Sequence, residues 1–190
     1  IKAMYPDDYR SLSIYIRTLN NLTNYNISTG AYQRAKLVAY DHLDLLTKEK
    51  NSLSYLDALN NLGSIYRNLE QYDSAIQIYN NALQVLDTGA YHGTDLHIAV
   101  LNNTGELLLS LEDYPHAIAA LLKAISLQEN RVGQNPRIYQ SSLLNLADTY
   151  YWSGDFQKAE QTYKKLTAEL SDEILHNYTY LSDAEKIAFF

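Results

Sequence analysis

The side chains in this sequence best suited to making specific contacts are amides, and they recur. Asn21, Asn61, Asn103 and Asn145 share one position of a repeating pattern; Asn20, Asn60 and Asn102 precede them, with Leu144 at that place in the fourth copy. Asn is a poor helix-interior residue because its side chain competes for backbone hydrogen bonds. An amide both donates and accepts, so a row of them can pair with the N–H and C=O groups of an extended peptide of any sequence. The other uses are to bridge neighbouring segments of the chain or to face water, and the sequence leaves these open. Covalent chemistry has less to work with. There is no Gly-x-Ser-x-Gly, no Gly-Lys-Ser/Thr phosphate loop and no His-Glu-x-x-His. The five histidines, His42, His92, His97, His116 and His176, never stand at i and i+4, and cysteine is absent. Neither a metal site, a cofactor nor a thiol nucleophile is expected, and the chain is not read as an enzyme.

The amides sit inside a longer pattern. Leu59, Leu62, Gly63 and Tyr66 are followed by Tyr72, Ala75, Tyr79 and Ala82. Leu101 and Gly105 lead to Tyr114, Ala117, Leu121 and Ala124, and Leu143, Leu146, Ala147 and Tyr150 lead to Phe156, Ala159, Tyr163 and Leu166. A looser copy runs Leu19, Leu22, Thr23, then Tyr32, Ala35, Ala39 and His42. Thr23, Gly63, Gly105 and Ala147 are 40, 42 and 42 residues apart, a period that marks stacked supersecondary units. Within a copy, the first set falls at i, i+3, i+4, i+7 and the second at i, i+4, i+7, so each copy predicts two helices joined by a short polar turn and lying antiparallel. A glycine inside a helix costs about 1 kcal/mol against Ala, so Gly63 and Gly105 predict close helix crossings with the helices of Ala75 and Ala117. The expected pairs cover about 10–49, 52–87, 94–130 and 136–175, after a linker at 1–9. Ser182-Asp183-Ala184-Glu185 is a capping box that predicts a C-terminal helix within 176–190, folding back near Tyr163, Leu166 and Leu170. No strand pattern occurs, and the fold class is all-α.

Composition narrows the partners. The chain has 190 residues, 46% hydrophobic and 19% charged, enough apolar content for a core. Its net charge of −7 argues against nucleic acid, whose binding rests on neutralising phosphates. No run of 18 apolar residues predicts membrane insertion, and no basic segment with an apolar core marks a signal peptide. That tilts the expectation toward the cytoplasm while leaving the compartment open. Because it opens on Ile1, the chain is read as part of a longer protein.

The repeated set resembles the tetratricopeptide repeat, in which a large apolar residue, Leu, Gly/Ala and Tyr on one helix are followed by Ala, an aromatic and Ala on the next. The 42-residue length with a Leu-Asn-Asn-Leu core is similar to the longer repeats of kinesin light chains. The resemblance implies a right-handed α-α superhelix of four pairs, capped by the C-terminal helix, that binds a protein or peptide partner on its concave face. There the first helices would present Asn20, Asn21, Asn60, Asn61, Asn102, Asn103 and Asn145 to the partner backbone, with Arg67, Glu106 and Asp148 adding charge. Tyr151 and Trp152 would anchor it, since Trp and Tyr are enriched among interface hot spots; packing of Trp152 against the last helix or the Phe189-Phe190 tail is the alternative. The stretch His176 to Phe190 is similar to the segment joining such arrays to CHAT domains in bacterial proteins. That implies a second reading, a regulatory module for a caspase-like domain beyond Phe190.

Overall fold

Four helix pairs form because each apolar stripe ends at a turn built the same way. The structure, a computed structural model, describes residues 9–47, 52–130 and 135–179. Its helices are α1 (Tyr9–Ser28), α2 (Tyr32–Leu45), α3 (Leu53–Asn68), α4 (Tyr72–Leu86), α5 (Asp95–Ser110), α6 (Tyr114–Glu129), α7 (Pro136–Trp152) and α8 (Phe156–Thr179). No strand occurs among the described residues. α8 runs four residues past the expected end at Leu175; the linker before Tyr9 and the helix expected after Ser182 lie outside the described residues.

Ser52 and Thr94 start α3 and α5 by accepting from the backbone N–H groups of Tyr55 and His97. Within each pair, the first helix stops in a left-handed residue with two crossed backbone bonds. In the second pair Glu70 N–H donates to the Arg67 carbonyl and Gln71 N–H to that of Tyr66, and the same two bonds recur at Gly30, Glu112 and Gly154. Gly30 and Gly154 take this conformation without a side chain, whereas Glu70 and Glu112 adopt it at φ 58° and 59°.

The glycines inside α3 and α5 mark close approaches within the second and third pairs. A Cβ on Gly63 would stand 2.4 Å from the Tyr79 ring, and one on Gly105 would stand 2.6 Å from Leu121 Cγ. The crossings therefore involve the helices of Ala75 and Ala117 as expected, but the side chain filling the gap is the large residue one turn further on. The other pairs vary the same two positions: Ala147 with Tyr163, and Thr23 with Ala39. Between pairs the core is continuous. Ala75, Tyr79, Ala82 and Leu86 of α4 pack with Leu56 and Leu59 of α3 and with Val100 and Leu107 of α5. Leu121 and Ile125 of α6 share a second cluster with Tyr139, Leu143, Leu146 and Tyr150 of α7 and Ala159 and Leu166 of α8.

First helices touch first helices of the next pair, and second helices pack on the next first helix, while successive second helices make no comparable contact. The first helices thus line the tighter, inner side of an all-α solenoid, and α4, α6 and α8 splay on the outer side.

Gly63→Ala and Gly105→Ala are expected to lower stability by roughly 1–3 kcal/mol through overpacking, despite the better helix propensity of Ala. Urea denaturation checks this, the midpoint falling with an unchanged slope. An unchanged or higher midpoint would show that the Tyr79 and Leu121 side chains move aside freely.

Candidate partner-binding face

The inner face is built from α1, α3, α5 and α7, and its amides are largely engaged with one another. Asn61 donates to Asn20 Oδ1 at 2.9 Å, and Asn103 donates to Asn60 Oδ1 at 2.8 Å. Each bond joins the first amide position of one pair to the second amide position of the next, and the donor comes from the later pair. Asn20 passes its own N–H to Asp57 Oδ2 at 2.8 Å. Burial pushes the Asp57 carboxyl up, and the Asn20 bond offsets part of that by favouring the charged form.

The pattern changes at the joint between the third and fourth pairs, although both of its amide positions, Asn102 and Asn145, are filled. Asn145 reaches Glu106 Oε1 at 3.0 Å, and Arg67 pairs with the other oxygen of the same carboxylate. Asn102 is left with 5% of its surface exposed and its Oδ1 without a hydrogen-bond partner. Asp148 accepts from the Tyr163 hydroxyl, which pushes that phenol up to about 12.

Of the uses the sequence left open for Asn20, Asn60, Asn61 and Asn103, the geometry makes the bridge between pairs. Asn61 is only 9% exposed, and its donor is used inside the array. Arg67, Glu106, Asn145 and Asp148 likewise bond within the array. Asn21 remains exposed.

Tyr151 and Trp152 stand differently. They are 50% and 64% exposed at the end of α7, and Phe156 across the turn is 63% exposed. Tyr151 holds the other two rings edge-on, at centroid distances of 5.5 Å from Trp152 and 5.6 Å from Phe156. Three adjoining rings with this much free surface form an aromatic group open to a partner. Trp152 keeps most of its surface free, and the Phe189-Phe190 tail considered as its alternative partner lies outside the described residues.

Sequence reasoning named Phe156 only as a member of the fourth copy and not among the partner-binding residues. It corresponds to Tyr32, Tyr72 and Tyr114, which are partly buried, so its exposure sets the fourth copy apart. A groove of about 310 Å³ on the outer side, between α6 and α8, has Ile125, Leu143, Leu146 and Tyr150 as apolar walls with Lys158 and Lys165 at its rim. Both lysines already pair, with Asp155 and Glu129 respectively. Among the described residues no three His, Asp or Glu side chains gather to hold a metal ion, and no helix is long and apolar enough to cross a membrane.

Residues 54–130 and 141–170 match family models described as tetratricopeptide repeat. No curated protein gives a significant match. Among solved structures the chain is similar to BtubC (BKLC) from P. vanneervenii, with 23% identity and a TM-score of 0.74 over 83% of this chain. It spans 64% of that protein, less than two thirds of its length. It is also similar to the MamA protein, with 16% identity and a TM-score of 0.60, covering 91% of this chain and 81% of that one. A putative kinesin light chain with TPR-like repeats from Podosopora anserina gives 14% identity and a TM-score of 0.57, over 84% of this chain and 96% of that one. At these identities the likeness is one of fold.

Asn61→Ala and Asn103→Ala are each expected to lower stability by about 0.5–1.5 kcal/mol, the net worth of a protein hydrogen bond. Glu106→Ala strands both Arg67 and Asn145 and is expected to cost more than either. Chemical denaturation of the three variants checks the order; equal stability of all three with the parent would mean that the amide bridges carry no load.

Proposed function

Because the chain belongs to the tetratricopeptide repeat family, whose fold is in general a scaffold for protein–protein contact, we propose that it holds an extended partner segment on its inner face, anchored at the α7–α8 end. The observation that carries this reading is the exposed ring group of Tyr151, Trp152 and Phe156. Large aromatic side chains offer contact area at low entropic cost and dominate interface energetics where a partner excludes water from them. The amide rows contribute indirectly: by tying pairs together they keep the face in one shape, so little ordering is left to be done on binding. The negative charge of the chain and the exposed Asn21 favour a segment that is neutral or basic and presents backbone groups to the surface.

Selection of a displayed random-peptide library on the full chain tests this. Selected peptides should shift the emission of Trp152, the sole tryptophan. Trp152→Ala or Tyr151→Ala should weaken them by about 2 kcal/mol, roughly thirtyfold, with the melting temperature within a few degrees of the parent. Peptides that bind both variants as tightly as the parent would remove the anchor from the proposal.

A further inference from the structure

Superposing the copies in three dimensions exposes a clasp that is built twice, once with a titratable ring. At the joint between the third and fourth pairs, Tyr139 donates its hydroxyl to Glu129 Oε1 at 2.8 Å, and Lys165 reaches the same oxygen at 2.7 Å. Glu129 ends α6, Tyr139 lies in the first turn of α7 and Lys165 belongs to α8, so three helices meet on one carboxylate. At the joint between the second and third pairs, the same three positions hold Asp87, His97 and Lys123. His97 Nε2 lies 2.8 Å and Lys123 Nζ 2.6 Å from Asp87 Oδ1. The equivalent positions in the first and second pairs are Tyr15 and Tyr55, so His97 is the exception in a row of tyrosines.

The imidazole does more than the phenol. The backbone N–H of Gly93 donates to His97 Nδ1 at 3.0 Å, which fixes the tautomer: Nδ1 is bare and Nε2 carries the hydrogen given to Asp87. His97 has no exposed surface. The ring thereby pins the α4–α5 connection, through Gly93, to the end of α4, through Asp87. We propose that this joint is a proton-operated latch: at neutral pH the ring holds the connection shut, and a proton on Nδ1 releases Gly93 and loosens the second pair from the third.

The chemistry rests on donors and acceptors. Once Nδ1 carries a proton it faces the Gly93 N–H donor to donor, and an amide hydrogen cannot give way by losing its own proton. The groups around the ring are Asp87 at the end of α4, Lys123 from α6 and His92 from the connection, whose ring lies 5.2 Å from that of His97. Burial lowers the His97 pKa below its ordinary 6.5; Asp87 pulls it upward, and Lys123 and His92 add to the lowering. For Asp87, burial pushes upward, but the Lys123 and His97 bonds leave it below the ordinary value, so it stays charged across the range concerned. With the closed-state pKa depressed, the latch is at full strength above pH 6.5 and weakens as pH falls below it. The population of the open joint rises by up to about tenfold per pH unit in that window. The Tyr139 clasp has no such response, since burial pushes its hydroxyl upward, away from this range.

Amide hydrogen exchange on the full chain, corrected for the intrinsic effect of pH, reads the latch directly. From about pH 7.5 to about 5.5, protection over residues 86–97 should fall about tenfold, while the amides around Glu129 and Tyr139 change less than about twofold. His97→Gln supplies one acceptor and one donor without a titrating group, and should abolish the pH response at 86–97. The pair His97→Tyr with Asp87→Glu, which copies the other clasp, should do the same. His42, buried in α2 with its pKa lowered by burial, would register in α2 instead. Nitrogen NMR of the parent protein gives an independent reading, with Nδ1 bare at the higher pH. An equal response at both joints, a response that persists in His97→Gln, or a hydrogen on Nδ1 at the higher pH would each overturn the proposal.

Discussion

The middle of this solenoid depends on two helices approaching until a side chain on one meets bare backbone on the other. Tyr79 lies where a Gly63 side chain would be, and Leu121 where one of Gly105 would be. That approach lets the second helix of a pair present a tight row, Ala75, Tyr79, Ala82 and Leu86, to both its own partner and the first helix of the next pair. Burial at such close-packed contacts is the dominant favourable term, and here it links neighbours only. A fault in one pair is therefore felt by the pairs beside it and attenuates beyond them.

Polar groups settle what packing leaves undetermined. Apolar contacts between successive pairs are non-directional, so they tolerate small rotations of one pair on the next. The bridges Asn20–Asn61 and Asn60–Asn103 on the inner side, with Asp87–Lys123 and Glu129–Lys165 nearer the second helices, fix that rotation from two sides. The provision is uneven. Gln128 stands where the second pair has Leu86, fully buried with neither end of its amide bonded, and Asn102 keeps an unsatisfied oxygen. A buried amide without partners is destabilising, so the third pair is the least well satisfied at its polar positions among the described residues.

The fold was legible because its signals are local and repeated. The 3.6-residue stripes, the small residues at Gly63 and Gly105 and the turns at Gly30 and Gly154 can each be read within a window of a few residues. The role of the amides was half legible. Their presence in helix interiors showed that they serve a purpose, but not which, because a bond from Asn61 to Asn20 crosses 41 residues and joins different positions of two copies. Aligning like with like hides such a pairing. The His97 clasp was hidden for a related reason: Lys123 stands 36 residues from Asp87, and nothing in either local window ties the two together. Exposure of Phe156 went against the repeat pattern itself, since Tyr32, Tyr72 and Tyr114 at the same position are all partly covered.

The direction of the amide bridges has a consequence for how such an array can change length. In both, the hydrogen is supplied by the later pair and the oxygen by the preceding one. The second pair, with Asn61 facing back and Asn60 facing forward, thus carries a plug on one side and a socket on the other. A 42-residue unit of this kind can be copied or lost between its neighbours, and the flanking units still meet a matching half. The joint between the third and fourth pairs, where Glu106 rather than Asn102 receives Asn145, breaks that interchangeability, and Leu144 offers no socket of the same kind.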